Sequence, residues 1–301
     1  MRTASIARPC PAFSRTVKER SQQLVAAVLF VCGSIGFCRG ADITVALATS
    51  KAISSNLVGI FFEDLSYAAD GGLYAELVQN RSFEYSPADR PEWNALTSWS
   101  LVERAGGKGG LAVENETPLH PDNPTYAVLE VSTLGAAGMQ NHGFDGISVS
   151  AGESYHFSVF ARPISGARGS LSVRLEDASG ALLASVDLPP LTDGWNPYTA
   201  TLKPAASAPD ARLVLLSSQP GRTAFDMVSL FPAKTFKNRP NGLRADLAKS
   251  IADLRPKFMR FPGGCLVHGD GLGNMYRWKD TIGPVWRRKG QPNIWRYHQS
   301  V

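Results

Sequence analysis

Between Trp93 and Pro232 the sequence keeps returning to a period of two, and that pattern leaves few folds open. Tyr155, Phe157, Val159 and Ala161 fall on one face of a strand, with His156 and Ser158 between them. Leu171, Val173 and Leu175 alternate with Ser172, Arg174 and Glu176 in the same way. Such alternation belongs to strands with one face in a core and the other toward water. Ala151-Gly152, Ser179-Gly180 and Asp193-Gly194 punctuate the run at strand-length intervals, and no helix of convincing period interrupts it. The pattern predicts an antiparallel β-sandwich of jelly-roll type over residues 93–232.

The flanks have another texture. Ile43-Thr-Val-Ala-Leu47 alternates as a strand, and Leu57-Val-Gly-Ile-Phe-Phe62 is a short apolar run of the kind found in strands buried on both faces. Asp70-Gly71-Gly72, followed by Leu73, Leu77 and Asn80-Arg81, suggests a helix with Asp70 near its amino-terminal cap. After Pro232, the residues Leu243, Leu247, Ile251 and Leu254 stack on one helical face. Pro256 ends that helix, and Lys257-Phe-Met-Arg-Phe261 is a compact strand closed by Pro262-Gly263-Gly264. Strand–helix, then helix–strand, around a sandwich predicts an α/β plus all-β chain: a barrel interrupted by an inserted domain. The domains are then 41–92 and 233–301 for the interrupted part and 93–232 for the insert. Periodicity alone sets α/β, not barrel closure.

Residues 1–40 read as an export signal. A basic stretch ends at Arg20, an apolar run extends from Leu24 to Phe37, and small residues Cys38 and Gly40 precede a cut before Ala41. A lipid anchor on Cys38 is the alternative, with Phe37 a poor fit to its processing. The leader holds six basic residues against Glu19, which accounts for the whole formal charge of +5. The remainder is near neutral, so charge gives no argument for nucleic acid or an anionic membrane as partner. Cys10, Cys32 and Cys38 also lie in the leader, leaving Cys265 alone after cleavage and no intrachain disulfide.

In α/β barrels functional side chains sit at the carboxyl ends of strands. Phe61-Phe62-Glu63-Asp64 puts two carboxylates there, and Arg260-Phe261-Pro262-Gly263-Gly264-Cys265 puts a double glycine where backbone can approach a ligand. Asn274, Tyr276, Arg277 and Trp278 follow, Trp278 being a natural platform for the apolar face of a sugar. Each has a plainer reading: Glu63 and Asp64 as a cap or half of an ion pair, Pro-Gly-Gly as a tight turn, Trp278 as core. No Ser/Cys–His–Asp constellation surrounds Cys265, and His268, though near in sequence, has no assigned role. His120, His142, His156, His268 and His298 lack metal-ligand spacing. Gly269-Asp-Gly-Leu-Gly273 lacks the strand–turn–helix context of a dinucleotide site.

Gly59-Ile-Phe-Phe-Glu-Asp-Leu-Ser-Tyr continuing to Glu-Leu-Val-Gln-Asn-Arg-Ser-Phe-Glu84 strongly resembles the opening of glycoside hydrolase family 51 α-L-arabinofuranosidases. So do Asn241-Gly-Leu-Arg-Ala-Asp-Leu, Lys257 to Cys265, Tyr276 to Pro284 and Trp295-Arg-Tyr-His-Gln299. The insert, ending Phe225-Asp-Met-Val-Ser-Leu-Phe-Pro232, resembles jelly-roll carbohydrate-binding modules. The resemblance implies an incomplete (β/α)8 barrel interrupted by that insert and no cofactor; the export signal cut before Ala41 implies a secreted or periplasmic protein, and the histidine spacing no metal. Its reaction is retaining hydrolysis of terminal α-L-arabinofuranosyl groups from arabinan- and arabinoxylan-type plant polysaccharides. Retention uses two carboxyl groups about 5–5.5 Å apart, and the family's catalytic glutamates fall on later strands, beyond Val301. Substrate-binding positions carried over are Glu63, Cys265 and Trp278, with Cys265 standing where many bacterial members have Asn. Nucleic acid is not implied, nor a membrane after signal cleavage; oligomerisation stays open. The alternatives are a non-catalytic carbohydrate-binding protein using Trp99, Trp195 or Tyr198, and a hydrolase acting on xylosides or β-glucans.

Overall fold

The computed structural model describes residues 51–166, 170–296, 298 and 299. The leader and the strand expected at Ile43–Leu47 lie outside the described residues. The chain is mostly β, with few helices, and from Ser54 onward it forms one compact unit. A short strand, β1 (Ile60–Phe61), comes first. The strands β2 (Trp99–Arg104), β3 (Gly109–Glu114), β4 (Tyr126–Val131), β5 (Ala136–Asn141) and β6 (Ile147–Val149) follow. Next come β7 (Tyr155–Gly166), β8 (Leu171–Glu176), β9 (Leu182–Asp187), β10 (Asn196–Leu202), β11 (Ala208–Ser217) and β12 (Gly221–Pro232). Two antiparallel sheets result, ordered β10-β7-β12-β4-β3 and β2-β5-β11-β8-β9, with β6 also on β11.

The alternation seen in the sequence is the sandwich's inside–outside pattern. Tyr155, Phe157, Val159 and Ala161 of β7 and Leu171, Val173 and Leu175 of β8 are buried in a common core with Leu213, Leu215, Phe225 and Leu230. Gly152, Gly180 and Gly194 take positive φ at the turns that join strands, where a side chain would be strained. The aromatics considered for sugar binding are structural: Trp99 and Tyr198 are buried, and Trp195 packs on Tyr126 at 5.4 Å between ring centroids.

No helix forms over residues 73–81, contrary to expectation. Asn80 and Phe83 have φ of 54° and 57°, which interrupts any helical path. The segment instead wedges into the sandwich, its backbone bonded to β12 through Leu77 N to Leu230 O (3.0 Å) and Val228 N to Arg81 O (2.9 Å). Val78 and Phe83 join the sandwich core. Asn141 brackets Gln79, accepting its N–H at 3.3 Å and donating to its carbonyl at 2.9 Å. Glu76 is the buried clamp of this wedge: its Oε1 accepts N–H groups of Leu77, Val78 (both 3.0 Å) and Leu230 (2.9 Å). Its Oε2 accepts the Ser229 hydroxyl and pairs with Arg81 Nη1 at 3.1 Å. Tertiary burial thus overrides a local i,i+4 pattern.

A β-bulge lies where β12 passes β7, between Asp226 and Ser229, with Met227 at φ 50°. It leaves Asp226 wholly buried, with Oδ1 accepting Met227 N–H at 2.7 Å. Oδ2 has no hydrogen-bond partner among the described residues. Burial pushes this carboxyl well above the usual range, Met227 N–H pulls it down and the Glu84 charge raises it further. The folded state therefore keeps a proton that the unfolded chain loses near pH 4, and the attendant stability is full below that pH and lost as pH rises through the folded value. Asp226→Asn, which is neutral throughout, should gain on the wild type between pH 4 and pH 8 in urea unfolding. A gap that stays constant over that window would show that Asp226 ionises alike in both states.

Outside the sandwich, β1 pairs in parallel with β13 (Met259–Arg260), Ile60 opposite Met259. Alternating bonds extend the ladder: Lys257 N to Val58 O (3.0 Å), Ile60 N to Phe258 O (3.0 Å), Phe62 N to Arg260 O (2.9 Å) and Asp64 N to Pro262 O (2.8 Å). A helix, Ala245–Asp253, precedes β13 as its sequence spacing predicts. The expectation that Leu57–Phe62 is buried on both faces is not met: Val58 is 66% and Phe61 55% exposed. Among the described residues this sheet has two strands, and its side chains are half-buried to exposed.

Candidate functional site

The carboxyl ends of β1 and β13 bring the two sequence clusters together. After β13 the chain reaches Gly263 at φ 147° and then a single helical turn, Cys265–His268. A Cβ on Gly263 would stand 2.4 Å from Glu63 Cγ, so the missing side chain is what lets Glu63 lie across this turn. Glu63 Oε1 accepts N–H groups of Gly264 at 3.2 Å and Leu266 at 3.0 Å. Its carboxyl is held below the usual range, first by the Leu266 N–H, against a smaller opposing effect of burial; Gly264, the Trp295 indole and Cys265 N–H add to the lowering. A carboxylate fixed in this way is a poor proton donor and a good acceptor for hydroxyl groups.

Asp64 does different work. It is buried, and its Oδ1 caps the following turn by accepting Ala69 N–H at 2.9 Å. Around the carboxylate, Phe62 stacks on Phe261 (5.6 Å between centroids) and the Arg260 guanidinium lies 4.7 Å from the Phe61 ring centroid. Cys265 is half-buried between the two N–H groups that hold Glu63. The His268 ring bonds the Gly269 carbonyl.

Trp278 is 59% exposed on a 3₁₀ turn, with Lys279 Nζ 5.8 Å over its ring and the Thr281 hydroxyl donating to its carbonyl at 2.9 Å. None of these contacts joins it to Glu63. Asn274 is engaged with Asp270 (2.8 and 3.0 Å), Arg277 with Leu272 O (3.1 Å) and Tyr276 with Thr281 (3.2 Å), all within one loop. Sequence reasoning passed over Trp295 as a site residue. Its only signal there was membership of the Trp295–Gln299 block, since nothing local links it to Glu63.

Known proteins resemble this chain in sequence and in fold. A family model described as the α-L-arabinofuranosidase 1 domain matches residues 250–300. An extracellular exo-α-L-arabinofuranosidase of Streptomyces chartreusis is 42% identical over 266 residues, 84% of this chain and 30% of that protein. Among solved structures, an arabinose-bound GH51 α-L-arabinofuranosidase superposes with a TM-score of 0.71 at 36% identity, over 80% of this chain and 40% of that one. The chain belongs to glycoside hydrolase family 51. A second curated relative, α-L-arabinofuranosidase 1 of Arabidopsis thaliana, is 32% identical over 82% of the chain. The chain spans 30% and 37% of the length of these two curated relatives.

Proposed function

We propose that the protein carrying this chain is a retaining α-L-arabinofuranosidase, releasing terminal arabinofuranosyl groups from arabinan- and arabinoxylan-type polysaccharides. The observation that carries this reading is the ionised Glu63 carboxylate, anchored on the turn after β13 in a family 51 chain. Glu63 acts as an acceptor for sugar hydroxyls, with Cys265 beside it and Trp278 as a further substrate contact. Glu63, held ionised, and Asp64, committed to Ala69 N–H, are assigned neither the acid/base nor the nucleophile role, which the family resemblance puts on glutamates of later strands. The parallel β1–β13 pair and the helix Ala245–Asp253 are the opening of a (β/α)8 barrel, into which the sandwich is inserted. The exposed apolar side chains of Val58, Phe61, Phe258 and Met259 support that reading, as surfaces that further strands and helices would cover. Secretion accords with the extracellular Streptomyces relative.

The test is release of arabinose from 4-nitrophenyl α-L-arabinofuranoside by the full gene product, with the first-formed anomer read by NMR. Activity with retention is expected, the purified 301-residue chain releases none, and absence of activity in the full product refutes the reading. Glu63→Gln in the full product should lower kcat/KM roughly tenfold to a hundredfold, the worth of hydrogen bonds to a charged group.

A further inference from the structure

The loop that carries Trp295 is tied to a distant side chain. Trp295 and Arg296 sit between β14 (Gln291–Pro292) and β15 (His298–Gln299), an antiparallel pair with Gln291 opposite Gln299. The Trp295 indole N–H is directed at the Glu63 carboxylate. The Trp295 side chain is nevertheless 38% exposed, so burial of the ring does not fix it there. Arg296, the next residue, has φ of 58°. That left-handed conformation reverses the chain just after Trp295, and an L-residue keeps it only where its surroundings impose it. Two supports are local. Asn293, itself buried, accepts Trp295 N–H on Oδ1 at 2.9 Å and Arg296 N–H on its carbonyl at 3.0 Å. The third comes from outside the loop: Arg90 Nε donates to the Arg296 carbonyl at 2.8 Å.

Arg90 is itself held in place. Its guanidinium lies 4.7 Å from the Trp93 ring centroid and 5.9 Å from that of Tyr67. Trp93 is buried and stacks on Tyr85 with centroids 4.4 Å apart. A planar guanidinium laid on aromatic rings loses little further freedom when it donates a hydrogen bond. The Arg90 backbone is pinned as well, its carbonyl accepting Trp93 N–H at 2.9 Å. Asp89 Oδ2 closes the preceding turn by accepting Ser86 N–H at 3.0 Å, and it lies 3.4 Å from His298 Nδ1. Residues 86–93 thus meet this hairpin twice, at the loop through Arg90 and at β15 through Asp89.

We infer that Arg90 is a positioning residue for the Glu63 site: by holding the Arg296 carbonyl it keeps the Trp295 indole against the Glu63 carboxylate. This role deepens the reading of Glu63 as the sugar acceptor; the kinetic arm of its test rests on that reading and the spectroscopic arm does not. The full gene product is made with 5-fluorotryptophan, and its Trp295 fluorine signal is assigned by Trp295→Phe. Glu63→Gln should shift that signal in the otherwise unchanged protein. In an Arg90→Met background, where the apolar stem stays on Trp93 but the donor is gone, the shift should fall below about half, at an unchanged thermal midpoint. If Arg90→Met does not fold, Arg90→Lys, which lacks the planar donor edge, carries the same expectations. With 4-nitrophenyl α-L-arabinofuranoside, Arg90→Met should lower kcat/KM about tenfold, the worth of one hydrogen bond. In a Trp295→Phe background the same change should cost less than about twofold, because both act through one contact. No fluorine shift in the unchanged protein, a shift kept above half in the folded Arg90 variant, or kinetic losses that multiply would each overturn the inference. A full gene product that gives the fluorine result but hydrolyses nothing would refute the enzyme reading alone.

Discussion

Replacing Glu76 by Ala should destabilise the protein by about 3–5 kcal/mol, the cost of removing one partner from a buried ion pair. The size follows from how completely the carboxylate is used. It takes three backbone N–H groups, the Ser229 hydroxyl and Arg81 Nη1, in a place where its own side chain is 1% exposed. Alanine leaves those donors in a cavity from which water is largely excluded, and it removes the carboxylate paired with Arg81 Nη1, leaving Asp70 as the other charge acting on that guanidinium. Glu76→Gln should fall between the two, because an amide oxygen still accepts from Leu230 N–H while its NH₂ faces the guanidinium. The measurement is the urea midpoint followed by tryptophan fluorescence, with thermal unfolding lowered by about 6–20 °C. A loss below about 1 kcal/mol for Glu76→Ala would mean that water reaches these donors and that the wedge is not held by this residue.

Gly263→Ala should cost the full gene product about a hundredfold or more in kcat/KM, while Gly264→Ala stays near wild type. At Gly263, φ is 147°, a conformation closed to L-residues at about 1–3 kcal/mol. The added Cβ would also meet Glu63 Cγ at 2.4 Å and Oε1 at 2.8 Å. Glu63 can escape only by releasing the N–H groups of Gly264 and Leu266, and displacement of a positioned group by about 1 Å is worth about a hundredfold in rate. Gly264 has ordinary φ of −108°, and a Cβ there meets the end of Arg260 at 3.3 Å and Phe61 Cζ at an ordinary 3.9 Å. Equal activity in the two variants would remove Glu63 placement from the explanation of activity.

The sandwich was legible because alternation is a local property. Phe157 and Leu175 announce their faces within five residues, and the core they join repeats the same signal from strand to strand. The helix before β13 was legible for the same reason, although its stripe is only partly covered, with Ala248 buried and Leu247 37% exposed. The wedge was not legible. Leu73 and Leu77 are spaced as in a helix, but the partners that decide the conformation, Asn141 and Leu230, lie far along the chain. The two halves of the candidate site were each visible as strand ends, and pairing them follows from parallel register. Trp295 was hidden, since its approach to Glu63 joins segments with no shared pattern.

The register of Ile60 on Met259 joins residues about 200 positions apart, and that separation orders events in folding. Closing so long a loop costs conformational entropy that one short ladder cannot offset, whereas the sandwich pairings span at most about 100 residues, include the hairpins β3–β4 and β8–β9, and are offset by many more hydrogen bonds and a common core. Once the wedge has docked against β12, the span still to be closed shrinks to roughly 40 residues, a saving of about 1.4 kcal/mol. The folded sandwich thus acts as a jig for the strands that carry Glu63 and Gly263. Loosening it at Glu76 delays the meeting of β1 and β13 even though no atom of that pair has changed.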